Sequence, residues 1–387
     1  MNISFITNYL VIGLGSVGSS TLYHLAKNNK SVMGIDRYDP PHTQGSHGGN
    51  SRIYRKSYYE HENYVPLLEK AYNGWDTLEK TTNHQLRFRS GLLYTGQAND
   101  EIIMGIKSSS KKHAIELQEV DMPNDFPFFK KEENQEAWFE PDAGYVLPEK
   151  TIETYLKLAE DNGARILKST PVTQIEQTND GFVYVEIENN QWIKAQKVIV
   201  TAGAYIQLLK LPLLELVVTK QSIFWFKAQF SRPEIDLQKY PCWMFSHPKG
   251  NGPFYGFPPI CTQHSGNELW FKMAHHHPAS VPADVLKNPL ESQAGLNTDI
   301  SEYKETILSY FNEVQLTPVY TQHCYYTNSN DGHFIIDFLP DSNRQIVVAT
   351  GFSGHGFKFV PALGEVLSDM AMGKDKSQDL EFLKIER

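Results

Sequence analysis

Gly13-Leu14-Gly15-Ser16-Val17-Gly18 is the stretch that decides the fold of this chain. The apolar run Tyr9–Ile12 before it is typical of a strand buried on both faces, and Ser19–Lys27 after it has apolar residues at helical spacing. In such a turn the first glycine permits the tight bend, the second lets a pyrophosphate approach the backbone, and the third lets the helix pack on the strand. The stretch therefore predicts a dinucleotide site at the positive end of a helix dipole.

An acidic residue stands where this kind of site needs one. The predicted second strand, Ser31–Ile35, ends at Asp36. A carboxylate there accepts hydrogen bonds from the ribose hydroxyls of the adenosine half and repels the 2′-phosphate of NADP. The glycine motif and Asp36 leave NAD and FAD open as alternatives.

The rest of the chain predicts a mixed α/β fold in two parts. Helical spacing recurs at 63–80, 151–162 and 360–372, a hairpin turn stands at 179–181, and buried strands are predicted at 197–200 and 345–349. Residues 214–274 are rich in aromatic and β-branched residues, which is typical of an antiparallel sheet. We predict a Rossmann-like nucleotide-binding domain with a parallel sheet and a largely antiparallel substrate domain. The first comprises 1–85, 145–213 and 320–387, and the second comprises 86–144 and 214–319.

Composition excludes several classes of function. A net charge of −9 over 387 residues disfavours nucleic acid as a partner. The three cysteines form no CxxC pair, which argues against a zinc ribbon and fits a reducing compartment. Neither a signal peptide nor an apolar run of about 20 residues is present, so we expect a cytoplasmic protein with no membrane partner. Neighbouring residues on a strand point to opposite faces, so His275-His276-His277 does not predict a metal site.

Three later segments favour FAD over NAD. Pro40–Arg55 is a glycine-rich loop that leads into two arginines three residues apart, although the spacing of the arginines alone would fit ordinary solvated residues. Val198–Ala204 is a strand followed by a turn of small residues. In Gly351–Lys358, glycines let the backbone approach a flat ring.

Together these segments resemble the family of monomeric sarcosine oxidase and N-methyl-tryptophan oxidase, which are covalent flavoproteins. The matching pieces run in the family's order to about residue 372. They are Pro40-Pro41-His42, Ser46-His47-Gly48, Arg52-Ile53-x-Arg55, Tyr255-Gly256-Phe257-Pro258, His333-Phe334-Ile335-Ile336-Asp337 and Ser353-Gly354-His355-Gly356-Phe357-Lys358-Phe359.

The resemblance implies FAD held by a thioether between its 8α-methyl group and a cysteine, and the matching position is Cys324. A reactive cysteine acts as a thiolate in an electropositive place, whereas Cys242 and Cys261 lie in the aromatic region, where free cysteines are usually inert. The residues expected to bind the cofactor are Gly13, Gly15, Gly18, Asp36, Ser46, Arg52, Cys324, Gly354, His355, Gly356 and Lys358.

The resemblance also implies roles for polar residues around a small N-alkyl amino acid. Arg55 and Lys358 match the pair that holds its carboxylate, and Tyr255 matches a tyrosine of the substrate pocket. Catalytic roles fall to Arg52 beside the flavin, Lys272 at the oxygen-activating position, His276 and Tyr255. The implied reaction is oxidation of the amine with O2 as acceptor, in a monomer.

Two departures from the family's pattern leave the substrate open. The usual His-His-Gly-Asp-Thr is His47-Gly48-Gly49-Asn50-Ser51 here, and the usual Ala-Tyr-Gly-Glu is Ser57-Tyr58-Tyr59-Glu60. Gly48 thus replaces a histidine, and Tyr59 adds bulk where glycine is usual. Other readings of the chain are a flavin-dependent dehydrogenase with another electron acceptor, a non-catalytic flavin-binding protein and an NAD-dependent dehydrogenase.

Overall fold

The structure is a computed structural model of the chain. It describes residues 1–29, 31–212, 214–230, 240–246, 252–262, 264–276, 282–287, 290, 292–294, 300–312, 314–374 and 377–387.

Strands and helices alternate through the first half of the described chain, and strands dominate the third quarter. The strands are β1 (Asn2–Ile12), β2 (Val32–Ile35), β3 (Arg52–Tyr54), β4 (Arg87–Phe88), β5 (Leu92–Gln97), β6 (Gln118–Glu119), β7 (Gln135–Glu140), β8 (Gly144–Val146), β9 (Arg165–Leu167), β10 (Val172–Gln177), β11 (Val183–Ile187), β12 (Gln191–Val200), β13 (Val217–Phe230), β14 (Cys242–Ser246), β15 (Pro253–Gly256), β16 (Trp270–His275), β17 (Ser292–Ala294), β18 (Val314–Asn328), β19 (Ile335–Phe338) and β20 (Ile346–Thr350). The α-helices are α1 (Ser16–Asn28), α2 (Val65–Thr82), α3 (Glu101–His113), α4 (Met122–Asp125), α5 (Pro148–Asp161), α6 (Ser301–Tyr310) and α7 (Val360–Ala371).

The first sheet is the predicted parallel sheet. Its main path runs β10-β11-β12-β1-β2-β9, and β20 pairs with the end of β12. The pairs β12–β1, β1–β2, β2–β9 and β12–β20 are parallel, whereas β10–β11, β11–β12 and β19–β20 are antiparallel. Strand β1 is longer than the predicted Tyr9–Ile12, because residues from Asn2 onward already pair with β12.

The second sheet is largely antiparallel, as the aromatic region predicts. Its order is β17-β18-β13-β16-β15-β14-β5-β7-β6, with one parallel pair between β14 and β5. Two elements cross the predicted domain limits: β18 begins before residue 320, and β8 begins at Gly144. The division into domains stays a prediction, although the composition of the two sheets supports it.

Helices α1, α5 and α7 pack together against the parallel sheet, and α2 packs on α7. Their apolar stripes form one buried core with the sheet, in which Leu22, Leu25 and Leu363 are fully buried beside Val11 of β1. Burying side chains of this size contributes about 1.5–3 kcal/mol each, which makes this core a rigid base for the strand ends. Among the described helices, none has the length and apolar character required to cross a membrane.

Candidate active site

A cleft with about 1320 Å³ of empty space, part of it continuous with solvent, opens at the carboxyl ends of β1, β2, β12 and β20. This edge of an open parallel sheet is where ligands bind in such folds. Of the residues expected to bind the cofactor, those that line the cleft are Gly13, Gly15, Asp36, Ser46, Arg52, Gly354 and Gly356.

The glycine turn has the close contacts that the motif predicts. Gly13 has φ +90°, and a Cβ there would lie 2.7 Å from the Cα of Ala202. A Cβ on Gly18 would lie 1.8 Å from the carbonyl oxygen of Gly13, so only glycine lets α1 begin this close to β1. Helix α1 then starts at Ser16 on the cleft wall, with its first N–H groups available to an anion.

Asp36 is buried and fixes the turn. Its carboxylate accepts hydrogen bonds from the N–H groups of Leu14 at 2.6 Å and Tyr38 at 2.8 Å, and His42 Nε2 lies 3.3 Å away. Burial opposes ionisation, but these partners lower the pKa of Asp36 below its ordinary value. A charged Asp36 on the cleft wall is consistent with the predicted contact to a ribose.

Arg52 organises the loop that covers one side of the cleft. Its guanidinium donates 2.7 Å hydrogen bonds to the carbonyl oxygens of Ser46, Gly48 and Ser51. The side chain therefore shapes residues 46–51 while it also lines the cleft.

Lys272, on β16, reaches the same loop from the opposite side. Its Nζ donates to the carbonyl oxygens of Gly49 at 2.8 Å and Ser51 at 2.7 Å, and the ammonium lies 4.5 Å from the centre of the Phe257 ring. Burial, together with the charge of Arg52, lowers the pKa of Lys272 well below its ordinary value. The expected oxygen-activating lysine is thus a buried amine held against the loop next to Arg52.

Cys324 lies on β18 beside this loop, buried in the same cluster as Trp225 and Tyr326. Burial raises the pKa of the thiol, while the charges of Arg52 and Lys272 act in the opposite direction. The next three residues in sequence line the cleft, and the N–H of Tyr325 donates to the carbonyl oxygen of Gly45. The other two cysteines lie elsewhere: Cys242 is buried with a pKa raised to about 12 by burial, and Cys261 is exposed.

The cleft wall carries unpaired hydroxyls and a closely packed glycine. The hydroxyl oxygens of Thr327 and Thr350 are buried on its wall and have no hydrogen-bond partner among the described residues. Gly354 has φ +80°, and a Cβ there would lie 2.4 Å from the ring of Tyr326, so the backbone presses flat against that ring. Unpaired buried hydroxyls are costly unless a ligand pairs them, and the isoalloxazine of FAD carries polar edges.

A second cavity, with about 1050 Å³ of empty space, shares Ser353 with the cleft. Its wall includes Tyr59, Glu60, His276 and His355. His276 Nδ1 lies 3.3 Å from the hydroxyl of Tyr326, a residue that lines the cleft. The two cavities therefore share a wall at Ser353 and at the contact of His276 with Tyr326, an arrangement that suits a bound cofactor beside a separate substrate.

The two cations expected to hold a carboxylate lie behind the wall of this second cavity. Arg55 is 2% exposed, and its Nη2 donates to both oxygens of Glu60 at 2.6 and 2.7 Å. Lys358 is buried nearby and donates a 2.7 Å hydrogen bond to the carbonyl oxygen of His355. Burial would raise the pKa of Glu60, but Arg55 and its neighbours lower that pKa to about 2, so the carboxylate is ionised.

His355 lies on the wall of the second cavity and is neutral. One ring nitrogen, Nδ1, hydrogen-bonds the hydroxyl of Tyr58, and Nε2 lies 3.1 Å from the carbonyl oxygen of Gly332. Burial lowers the pKa of His355 to about 3, and the nearby Lys358 contributes. His355, expected to bind the cofactor, lies on the wall of the second cavity, and its carbonyl positions Lys358.

Tyr255, expected in the substrate pocket, lies on β15 next to the junction of the two cavities. It shares a side-chain hydrogen bond with Tyr326, and its ring centre is 6.1 Å from that of His276. Burial raises the pKa of Tyr255, so the phenol is protonated at neutral pH. In the described part of the chain no group of three His, Cys, Asp or Glu side chains is arranged to hold a metal ion, and His277 lies outside that part.

Comparison with known proteins places these features in a family. The family model described as FAD dependent oxidoreductase matches residues 8–370. The chain belongs to this family. Monomeric sarcosine oxidase of Bacillus sp. (strain B-0618) is 33% identical over 390 residues, covering 98% of this chain and 95% of that protein. N-methyl-L-tryptophan oxidase of Citrobacter koseri is 31% identical over 381 residues, covering 98% of both chains.

Solved structures support the fold. NikD, described as an unusual amino acid oxidase essential for nikkomycin biosynthesis, superposes with a TM-score of 0.82 at 22% identity, covering 98% of each chain. L-proline dehydrogenase from P. horikoshii gives a TM-score of 0.77 at 18% identity, covering 99% of this chain and 98% of that one. This FAD-dependent oxidoreductase therefore has the mixed α/β fold that its sequence predicts.

The sequence did not single out several residues of the site. Thr327 and Thr350 are common residues at strand ends, and only their unpaired buried hydroxyls distinguish them. Gln322 is another: a Cβ on Gly48 would lie 2.5 Å from its Nε2, so this buried amide occupies the space beside the glycine. The departure at Gly48 is thus paired with a large polar residue on β18, a relation that the sequence does not reveal because the two residues are 274 positions apart.

The pKa of Lys358 gives the site an expected pH dependence. Burial, with a contribution from Arg55, lowers this pKa to about 7, so the amine is charged below that pH and neutral above it. A carboxylate binds the charged form better, so its Kd should be constant below about pH 7 and rise up to about tenfold per pH unit above it.

Titrating the FAD-containing protein with propionate, which has no amine to titrate, measures this pH dependence of the Kd directly. A Kd that stays flat from about pH 6 to about pH 9 would contradict a carboxylate site at Lys358. The Lys358→Met variant is the control, with weak binding independent of pH.

Proposed function

We propose that this FAD-dependent oxidoreductase is an oxidase of secondary amines that demethylates an N-methyl amino acid with O2, giving formaldehyde, the amino acid and H2O2. The observation that carries the proposal is the buried pair of cations, Arg55 and Lys358, behind a cavity that shares Ser353 with the wall of the dinucleotide cleft. A cationic pair in a dry site fits an anionic substrate. The named relatives, a sarcosine oxidase and an N-methyl-L-tryptophan oxidase, support the same class of substrate.

Binding of the substrate requires an exchange at Arg55. In the structure its Nη2 pairs with Glu60, so a substrate carboxylate must share or displace that contact. Lys358, whose pKa is about 7, supplies a second positive charge to hold the incoming carboxylate. The substrate amine must be neutral, because only an unprotonated nitrogen has the lone pair that expels hydride from its methyl group. The imine product adds water and separates into amine and aldehyde.

FAD, when bound, accepts the hydride and returns both electrons to O2. The chain itself positions the cofactor and the substrate and supplies charge around them. The turn at Gly13 and the start of α1 would hold the pyrophosphate, and Asp36 would hold the ribose. Arg52 and Lys272 fix the loop 46–51 and add positive charge beside the flavin site.

Covalent attachment of FAD to Cys324 is part of the proposal. Burial disfavours the thiolate, but Arg52 and Lys272 favour it, and the thiolate is the nucleophile that would replace a C–H bond of the 8α-methyl group by a C–S bond. The two electrons released would pass through the flavin to O2. We expect acid precipitation of the purified protein to leave the yellow colour in the pellet. Cys324→Ala should release all of the flavin into the supernatant, whereas Cys242→Ala should behave like the parent protein. Flavin that stays soluble in the parent protein would contradict the attachment without contradicting FAD binding.

The function itself is tested by adding N-methyl amino acids under air to the yellow protein and measuring O2 consumption, H2O2 and formaldehyde. Stoichiometric peroxide supports the oxidase. Bleaching of the flavin without peroxide would indicate a dehydrogenase with another acceptor, and no bleaching by any secondary amine would indicate a non-catalytic flavoprotein. A monomeric state and a cytoplasmic location belong to the same proposal.

A further inference from the structure

The guanidinium of Arg55 contacts two aromatic rings. Its Cζ is 4.5 Å from the ring centre of Tyr58 and 4.6 Å from that of Tyr59. Cation–π contacts of this kind are stronger when they are withdrawn from water than when they are exposed. Arg55 is 2% exposed, so both contacts belong to the stronger class.

Hydrogen bonds occupy the edge of the same group. Nη1 donates to the carbonyl oxygen of Ser57 at 2.7 Å, and Nη2 donates to Glu60. The ring contacts and the hydrogen bonds thus both restrict the movement of the guanidinium. Two of these partners lie on the wall of the second cavity: Glu60, which accepts from the guanidinium edge, and Tyr59, which contacts the guanidinium through its ring.

The two rings differ in how they are held. Tyr58 is fully buried and hydrogen-bonds His355. Tyr59 is partly buried and lines the second cavity, and its backbone packs against Gly105 of α3. A Cβ on Gly105 would lie 2.6 Å from the Cα of Tyr59 and 2.7 Å from its Cβ. A glycine in the middle of a helix costs about 1 kcal/mol relative to alanine, and here it gives Tyr59 the room to reach Arg55.

We propose that Tyr59 is a positioning residue that holds Arg55 at the angle in which its edge meets a substrate carboxylate. This inference rests on the proposed function, because it assumes that Arg55 binds the carboxylate. The positioning role explains why Tyr59 stands where the flavoprotein family that the sequence resembles usually has glycine. The residue acts through Arg55 and does not touch the reacting atoms.

The test compares Tyr59→Leu, Tyr59→Phe and the parent protein, each loaded with FAD. Leucine removes the ring and phenylalanine keeps it. The Kd of propionate is read from the change that it causes in the flavin absorption spectrum, and the limiting rate of flavin reduction is measured at saturating N-methyl amino acid. We expect Tyr59→Leu to raise the Kd about 5- to 20-fold with little change in the limiting rate, and Tyr59→Phe to retain the parent Kd.

Tyr72→Leu is a matched control variant, because Tyr72 contacts Lys56, the residue that follows Arg55. The Nζ of Lys56 is 4.3 Å from the ring centre of Tyr72, so Tyr72→Leu removes a similar contact that does not involve Arg55. This variant should lose thermal stability and keep the parent Kd. Gly105→Ala is a second way to displace Tyr59 without removing its ring, and it should also weaken propionate binding.

The outcomes separate this inference from the proposed function. If Arg55→Gln binds propionate as tightly as the parent protein, the carboxylate site itself is wrong. If Arg55→Gln weakens binding but both Tyr59→Leu and Gly105→Ala keep or improve it, the positioning role of Tyr59 is wrong and the carboxylate site stands. A weaker Tyr59→Phe, equal to Tyr59→Leu, would also overturn the role of the ring.

Discussion

Lys272→Met is expected to slow reoxidation of the reduced enzyme by O2 about 10²- to 10³-fold, while anaerobic reduction by substrate stays within a few-fold of the parent rate. Reduction of oxygen develops negative charge, and a buried cation stabilises such charge far better than water does. Burial and Arg52 lower the pKa of Lys272, but the negative charge that develops on oxygen favours its ammonium form. Lys272 is 1% exposed, so this ammonium acts in a dry environment. Methionine keeps most of its volume and removes the charge.

Stopped-flow measurement of the two half-reactions separates this role from a structural one. Lys272 also donates to carbonyls of Gly49 and Ser51, so its loss could disturb the loop. A disturbed loop would lower flavin content and both half-reactions together, which would contradict a specific role with oxygen. Lys227→Met is the matched control, because Lys227 lies on the neighbouring strand β13 and pairs with the exposed Glu268.

Arg55→Gln is expected to lower kcat/KM about 10²- to 10³-fold, mainly through KM. The substitution removes the forked donor that the proposal assigns to the substrate carboxylate. It also leaves Glu60 without its main partner, and breaking a buried pair in this way costs about 3–5 kcal/mol. The variant should therefore also lose thermal stability at neutral pH.

The double variant Arg55→Gln/Glu60→Gln separates the loss of carboxylate binding from the loss of thermal stability. Removing the unpaired carboxylate should restore much of the stability, because an amide needs no counter-charge. Steady-state kinetics on the double variant should still show the high KM. Recovery of KM together with stability would mean that Arg55 serves only to neutralise Glu60.

The sequence predicts the fold well because its signals are local. The glycine turn after β1, the acid after β2 and the alternating hairpin at β10 and β11 each follow from a few neighbouring residues. Each of these elements is present in the structure. The parallel pairing of β5 with β14 was not predictable in this way, because about 150 residues separate the two strands and neither carries a pairing signal.

The candidate site was only partly predictable. The resemblance gave Arg55, Lys358 and Lys272 as functional candidates, and all three are buried basic side chains near the two cavities. The sequence could not show that the guanidinium of Arg55 already hydrogen-bonds the carboxylate of Glu60. It also could not show that the pKa of Lys358 falls to about 7, because that shift depends on burial and on charges that the fold brings together.

The relation between Tyr59 and Gly105 shows what sequence alone lacks. Tyr59 can be noted as unusual bulk, and Gly105 as an unfavourable residue inside α3. Only their packing explains both, since a Cβ on Gly105 would collide with Tyr59. The position of the ring over Arg55 then turns an unexplained departure into a testable role.

The central claim is that the cleft holds a flavin and that Arg55 and Lys358 present the carboxylate of an N-methyl amino acid to it. The most direct measurement is anaerobic mixing of the yellow protein with sarcosine or N-methyl-L-tryptophan, and in parallel with the methyl ester of each, while the visible flavin band is followed. The account predicts that at least one of the acids bleaches the band and that its ester does so far more slowly. Bleaching at equal rates by acid and ester, or by neither, would contradict it.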